Sequence, residues 1–183
     1  MRNISFSPPD MSDLEVEGAS EAIRSGWITT GPKTKEFERQ IAEACGVKKA
    51  VCLNSQTACA EMALHILDVG PGDEIIVPAY TYTATAEIVC HVGAKLVFVD
   101  VQKNSLQMDY DSLESLINEK TKAVIPVDLG GVPCDYDRIF EIAEKKKGVF
   151  RPANEIQKAI GRIAVCADTA HAFGAVWHGK PAG

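Results

Sequence analysis

The chain has 183 residues, 46% hydrophobic and 24% charged, and its 19 Lys+Arg against 25 Asp+Glu give a formal net charge of −6. That length supports one sizeable core, and the acidic balance excludes a broad nucleic-acid-binding face, which needs clustered positive charge. No apolar run is long enough to cross about 30 Å of hydrocarbon, and residues 1–9 lack the apolar stretch of a secretory signal, which points to the cytoplasm.

Helical periodicity predicts helices over residues 11–25 and 34–45, the second stopped by Gly46. A strand-like run over 49–53 follows, then a helix over 57–67 with Ala60, Ala63, Leu64 and Leu67 on one face. After the turn at Gly70-Pro71-Gly72-Asp73 come a strand over 74–77, a helix over 83–92, a strand over 95–99 and a helix over 109–118 capped by Asp109. Residues 122–127 read as a strand weakened by Pro126, Asp135 caps a helix reaching Lys147, and the last apolar run, 163–167, ends at Asp168. Strands apolar on both faces and separated by helices imply an α/β fold with a mostly parallel sheet in three layers.

Six cysteines, at 45, 52, 59, 90, 134 and 166, form no C-x-x-C pair. They suit core packing, and no metal site is expected. Residues 145–162 carry Lys145, Lys146, Lys147, Arg151, Lys158 and Arg162 around a short capped helix within 152–161. This is either a solvated surface insertion or a patch for an anionic ligand or partner subunit.

In parallel α/β sheets ligands bind at the carboxyl ends of the strands. The run Asn54-Ser55-Gln56-Thr57-Ala58 leads straight into a helix, whose free amides and positive dipole end suit a phosphate, although Ser and Thr also serve there as plain caps. No glycine lies between Val51 and Leu67, so neither a dinucleotide fingerprint nor a P-loop is present. Pro78-Ala79-Tyr80-Thr81-Tyr82-Thr83-Ala84-Thr85 offers two tyrosines that either stack on a planar ring or pack on the sheet edge. Asp168 ends a buried strand, where a carboxylate is costly unless it meets a positive group or serves as a cap. A phosphate anchor, an aromatic and a buried carboxylate together suit pyridoxal 5′-phosphate, whose ring nitrogen the carboxylate would keep protonated.

These strings, with Trp27-Ile28-Thr29-Thr30-Gly31-Pro32, Glu36-Phe37-Glu38, Gly131-Val132-Pro133-Cys134-Asp135 and Asp168-Thr169-Ala170-His171-Ala172-Phe173-Gly174-Ala175, resemble the DegT/DnrJ/EryC1/StrS aminotransferases. The resemblance covers nearly the whole chain. It implies the large domain of a fold-type I pyridoxal phosphate enzyme that aminates a keto group on a nucleotide-linked sugar, with an amino acid such as glutamate as donor, and that works as a dimer. It assigns the backbone of Thr57 and Ala58 to the cofactor phosphate, with Ser55 and Gln56 beside them in the cofactor site, Tyr82 to ring stacking, Asp168 to the ring nitrogen and His171 to a place near the ring's phenolic oxygen.

The same resemblance divides residues 1–183 into an N-terminal arm and helix over 1–32, the large-domain core and the basic insertion over 145–162, with the C-terminal domain absent. The Schiff-base lysine is expected downstream of Gly183, Lys180 matches a surface turn, and Asp128 stands where relatives often have His, so it receives no role. This chain alone is therefore expected to be inactive. Two alternatives stand beside the aminotransferase: a sugar dehydratase of the same family, and a non-catalytic binding or regulatory protein built on half of the fold.

Overall fold

Glu74–Pro78 (β1) is apolar on both faces and buried along its whole length, as a strand inside a covered parallel sheet must be. In the computed structural model, which describes residues 8–182, β1 pairs in parallel with Lys95–Val99 (β2) on one side, Ile75 opposite Leu96 and Val77 opposite Phe98. On its other side runs Thr121–Val124 (β3), followed by the short Ala164–Val165 (β4), giving the order β2-β1-β3-β4.

The period of two sends alternate β1 residues to opposite faces. Ile75 and Val77 pack with Leu64 of Gln56–Ile66 (α3) and with Ile88 and Val89 of Thr83–His91 (α4). Ile76 packs with Leu113 of Tyr110–Leu116 (α5) and with Ile139, Ile142 and Ala143 of Tyr136–Lys145 (α6). Each of the buried Ile, Leu and Val side chains among them contributes about 2 kcal/mol from burial alone. Helix, sheet and helix form the three expected layers.

Two compact units divide at Val51 and Cys52. In the first, Asp13–Arg24 (α1) starts on a capping box between Ser12 and Glu15, and Pro32–Ala44 (α2) starts on Pro32. Neither helix has a buried residue. Among the described residues no helix is long and apolar enough to cross a membrane.

The structure corrects the sequence reading in several places: Cys59 and Cys90, expected to pack in the core, are exposed. Residues 49–53 form no strand, and Val51 is 72% exposed; β-branched composition favours extension, but a strand also needs a neighbour for its amides and carbonyls. The run over 122–127 stops as a strand at Val124, before Pro126, which has no N–H to give. Val176–Trp177 (β5) and Lys180–Pro181 (β6), read only as a surface turn, form an antiparallel hairpin with His178 and Gly179 both at positive φ, 48° and 81°.

The basic stretch holds Glu155–Ile160 (α7), capped by Asn154 and stopped by Gly161 at φ 71°. Asn154 Nδ2 and the buried Gln157 Nε2 both donate to the carbonyl oxygen of Leu67, at 2.9 and 2.7 Å, and tie α7 to the end of α3. Lys145 pairs with Glu114, Lys147 and Arg162 with Glu144, and Lys158 with Glu155. Several of the cations within residues 145–162 are thus matched by nearby carboxylates.

Candidate functional site

At the carboxyl ends of β1, β3 and β4 lies a pocket of about 220 Å³, walled on one side by the first residues of α3. Gln56, Thr57, Tyr82, Asp168 and His171, five residues singled out from the sequence, line it together. Ser55 and Ala58 do not. They build its wall instead: Ser55 Oγ accepts the Ala58 amide at 3.1 Å and so starts α3.

That cap leaves the amides of Gln56 and Thr57 at the first turn, where no carbonyl inside the helix can reach them. Two outward N–H groups and the positive end of an 11-residue helix make an anion seat. Tyr82 stands at the N-cap of α4 without a side-chain capping bond and is 77% exposed. Its ring is free of the core.

Asp168 is 7% exposed. Its main chain is locked to the segment that follows β3, the amide donating to Pro126 O at 2.8 Å and the carbonyl accepting from Asp128 N–H at 2.9 Å. Its side chain is much less satisfied. Oδ1 accepts the Ala170 amide at 3.1 Å, while among the described residues Oδ2 has only the Thr85 hydroxyl at 3.5 Å, a weak contact by length. Thr85 also shares a 3.0 Å hydrogen bond with Thr81. A buried carboxylate oxygen facing a cavity with no strong donor suits a cationic N–H group brought by a ligand.

His171 is exposed at the rim, and its Nδ1 accepts from the Gly130 amide at 3.3 Å. In the neutral ring this places the proton on Nε2. Gly130 and Gly131 both have positive φ, and a Cβ on Gly131 would lie 3.2 Å from the carbonyl oxygen of His171. The bend therefore needs glycine for conformation and for space.

Thr85 and Gly130 are the contributors that the sequence reading did not assign. Both lie within or beside strings it singled out, but only the fold shows which residues they face. Lys180 sits in the β5–β6 hairpin and lines a different pocket, beside Tyr136 and Phe140. Among the described residues no lysine lines the pocket of Asp168. The arrangement can hold a flat molecule with an anionic group at α3 and a protonated ring nitrogen at Asp168.

A sequence profile of the DegT/DnrJ/EryC1/StrS aminotransferase family matches residues 9–183. The chain is 38% identical over 175 residues to the UDP-4-amino-4-deoxy-L-arabinose–oxoglutarate aminotransferase of Shewanella sediminis, covering 96% of this chain and 41% of that protein. A Streptococcus pneumoniae protein described as a sugar aminotransferase, solved in its PLP form, matches with 52% identity and a TM-score of 0.97 over 100% of this chain and 46% of its own. A GDP-4-keto-6-deoxymannose-3-dehydratase matches with 29% identity and a TM-score of 0.84 over 99% of this chain and 45% of its own. The chain thus spans less than half the length of each of these relatives.

Proposed function

The chain belongs to the DegT/DnrJ/EryC1/StrS aminotransferase family, a pyridoxal phosphate-dependent one, and from that premise we propose that it forms the cofactor-binding part of a sugar aminotransferase. The observation that carries this reading is Asp168 Oδ2, buried against a cavity with no strong donor of its own, opposite a helix start with free amides. When bound, the cofactor supplies an electron-accepting ring for chemistry at an amino carbon. Gln56 and Thr57 donate their amides to its phosphate, with Ser55 and Ala58 holding the turn that aims them. Tyr82 stacks on the ring, Asp168 accepts from the ring nitrogen and keeps it protonated, and His171 presents Nε2–H toward the phenolic oxygen.

The substrates we propose are a nucleotide-linked keto-sugar and an amino acid donor such as glutamate. The family likeness and the relatives' names support this. We place the protein in the cytoplasm as a homodimer. The likeness to the dehydratase supports a second reading on the same site, and product mass separates the two: an amino group gained, or water lost.

Residues 1–183 alone are proposed to bind the cofactor without turning it over, because no lysine lines the pocket among the described residues. Titrating the chain with pyridoxal 5′-phosphate and with pyridoxal tests the binding half. Saturation by the phosphate ester, with pyridoxal weaker by about tenfold or more, is the expected result, and equal affinities would remove the anion seat from the account. Glutamate-dependent conversion to the pyridoxamine form faster than with free cofactor would overturn the turnover half.

A further inference from the structure

One buried cluster is left unused by that reading. Asp128, four residues beyond β3, is 0% exposed, and no salt bridge reaches it among the described residues. Neutral donors meet it instead: the Cys134 amide reaches Oδ1 at 2.7 Å, and the Tyr136 hydroxyl lies 2.9 Å from both carboxylate oxygens. Burial first, and the charge of Asp128 second, hold the Tyr136 phenol well above its ordinary range, so it remains a donor. The same two causes push the Cys134 thiol up to about 12. The Cys134 thiol donates to Val127 O at 3.3 Å, closing the cluster.

The cluster sits under the bend that faces the pocket. From residues 127–131, the Asp128 amide holds the Asp168 carbonyl at 2.9 Å and the Gly130 amide holds His171 Nδ1 at 3.3 Å. One short segment therefore aims two pocket residues that come from a distant part of the sequence. A buried carboxylate met by a backbone amide, a phenol and a thiol is a demanding arrangement, and its stringency lies in geometry: moving the bend disturbs the bonds to Asp168 and His171 together with those to Cys134 and Tyr136.

We infer that Asp128 is a positioning residue: anchored by Tyr136 and Cys134, it fixes the 127–131 bend that registers Asp168 and orients His171 toward a phosphorylated heteroaromatic ligand. The identity of that ligand rests on the proposed function, while the bracket itself does not.

The test compares the full chain with Tyr136→Phe, Asp128→Ala and Asp128→Asn, and with Ile142→Val, a conservative core change further along the helix that Tyr136 begins. Nitrogen NMR of the His171 ring, read without ligand and assigned with His171→Gln, reports the bond to Nδ1, and titration with pyridoxal 5′-phosphate reports affinity. Tyr136→Phe and Asp128→Ala are expected to move the Nδ1 resonance and to weaken binding about tenfold. Asp128→Asn, which keeps an oxygen for the Cys134 amide, recovers part of both, and Ile142→Val moves neither. If Asp128→Ala fails to fold, Tyr136→Phe alone decides, since it removes a single hydroxyl. Parent values in Tyr136→Phe, or an equal shift in Ile142→Val, would overturn the inference. A parent chain that does not bind the cofactor would remove the proposed function and leave the His171 resonance to judge the bracket.

Discussion

Asp168 Oδ2 and Thr85 Oγ1 lie 3.5 Å apart, and this weak contact is the side-chain donor the buried oxygen has. The chain so described carries a desolvated charge without a full set of donors, a cost that an N–H cation from a ligand would offset. Replacing Asp168 by Asn removes the charge and keeps the shape. Urea unfolding of the ligand-free chain should show Asp168→Asn at least as stable as the parent. A loss of about 2 kcal/mol or more would mean that the carboxylate is already well satisfied.

Tyr82 projects from the start of α4 with most of its surface in solvent. Tyr82→Ala should therefore leave unfolding within about 0.5 kcal/mol of the parent. It should weaken pyridoxal 5′-phosphate by about 1 kcal/mol of stacking, and Tyr82→Phe should restore the affinity. A large stability loss would show the ring to be part of the fold.

Ser55 both starts α3 and leaves the next two amides pointing outward. Ser55→Ala should cost about 1 kcal/mol of stability. Phosphate competition against the cofactor should weaken along with it. An unchanged melting temperature would contradict the capping role.

Glu74, buried at the opposite end of β1, accepts from Lys95 Nζ and from Asn118 Nδ2, both at 2.8 Å. These bonds, Lys95 first, hold its carboxyl below the usual carboxylate range. A folded pKa below the unfolded value, about 4.3, means that the contribution is present at neutral pH and disappears as pH falls through the folded value. Urea midpoints measured from pH 7 to pH 3 should fall less steeply in Glu74→Gln than in the parent. Parallel curves would contradict the assignment.

The frame was legible wherever one residue's neighbours follow from its own run. Lys95–Val99 forms the strand its composition predicts, with the same bounds, and Asp109, Asp135 and Asn154 cap the helices they precede. Asp168 was legible because a carboxylate closing an apolar strand carries its cost in the sequence itself. Residues 49–53 misled because strand composition says nothing of a ladder partner. The two-residue strands β5 and β6 are too short to show a period, although His178-Gly179 marks their turn. Asp128 closes an apolar run just as Asp168 does. What separates them is which donors arrive, Cys134 and Tyr136 at one and a cavity at the other, and that is decided by the fold.

The measurement that bears most directly on the account is the affinity of pyridoxal 5′-phosphate for the parent chain and for Asp168→Asn, followed by absorbance at constant pH and salt. Saturable one-site binding by the parent, weakened by about 1.5–3 kcal/mol when the charged acceptor is lost, is the predicted result. No saturable binding by the parent, or equal affinity in the two chains, would contradict the assignment of this pocket to the cofactor.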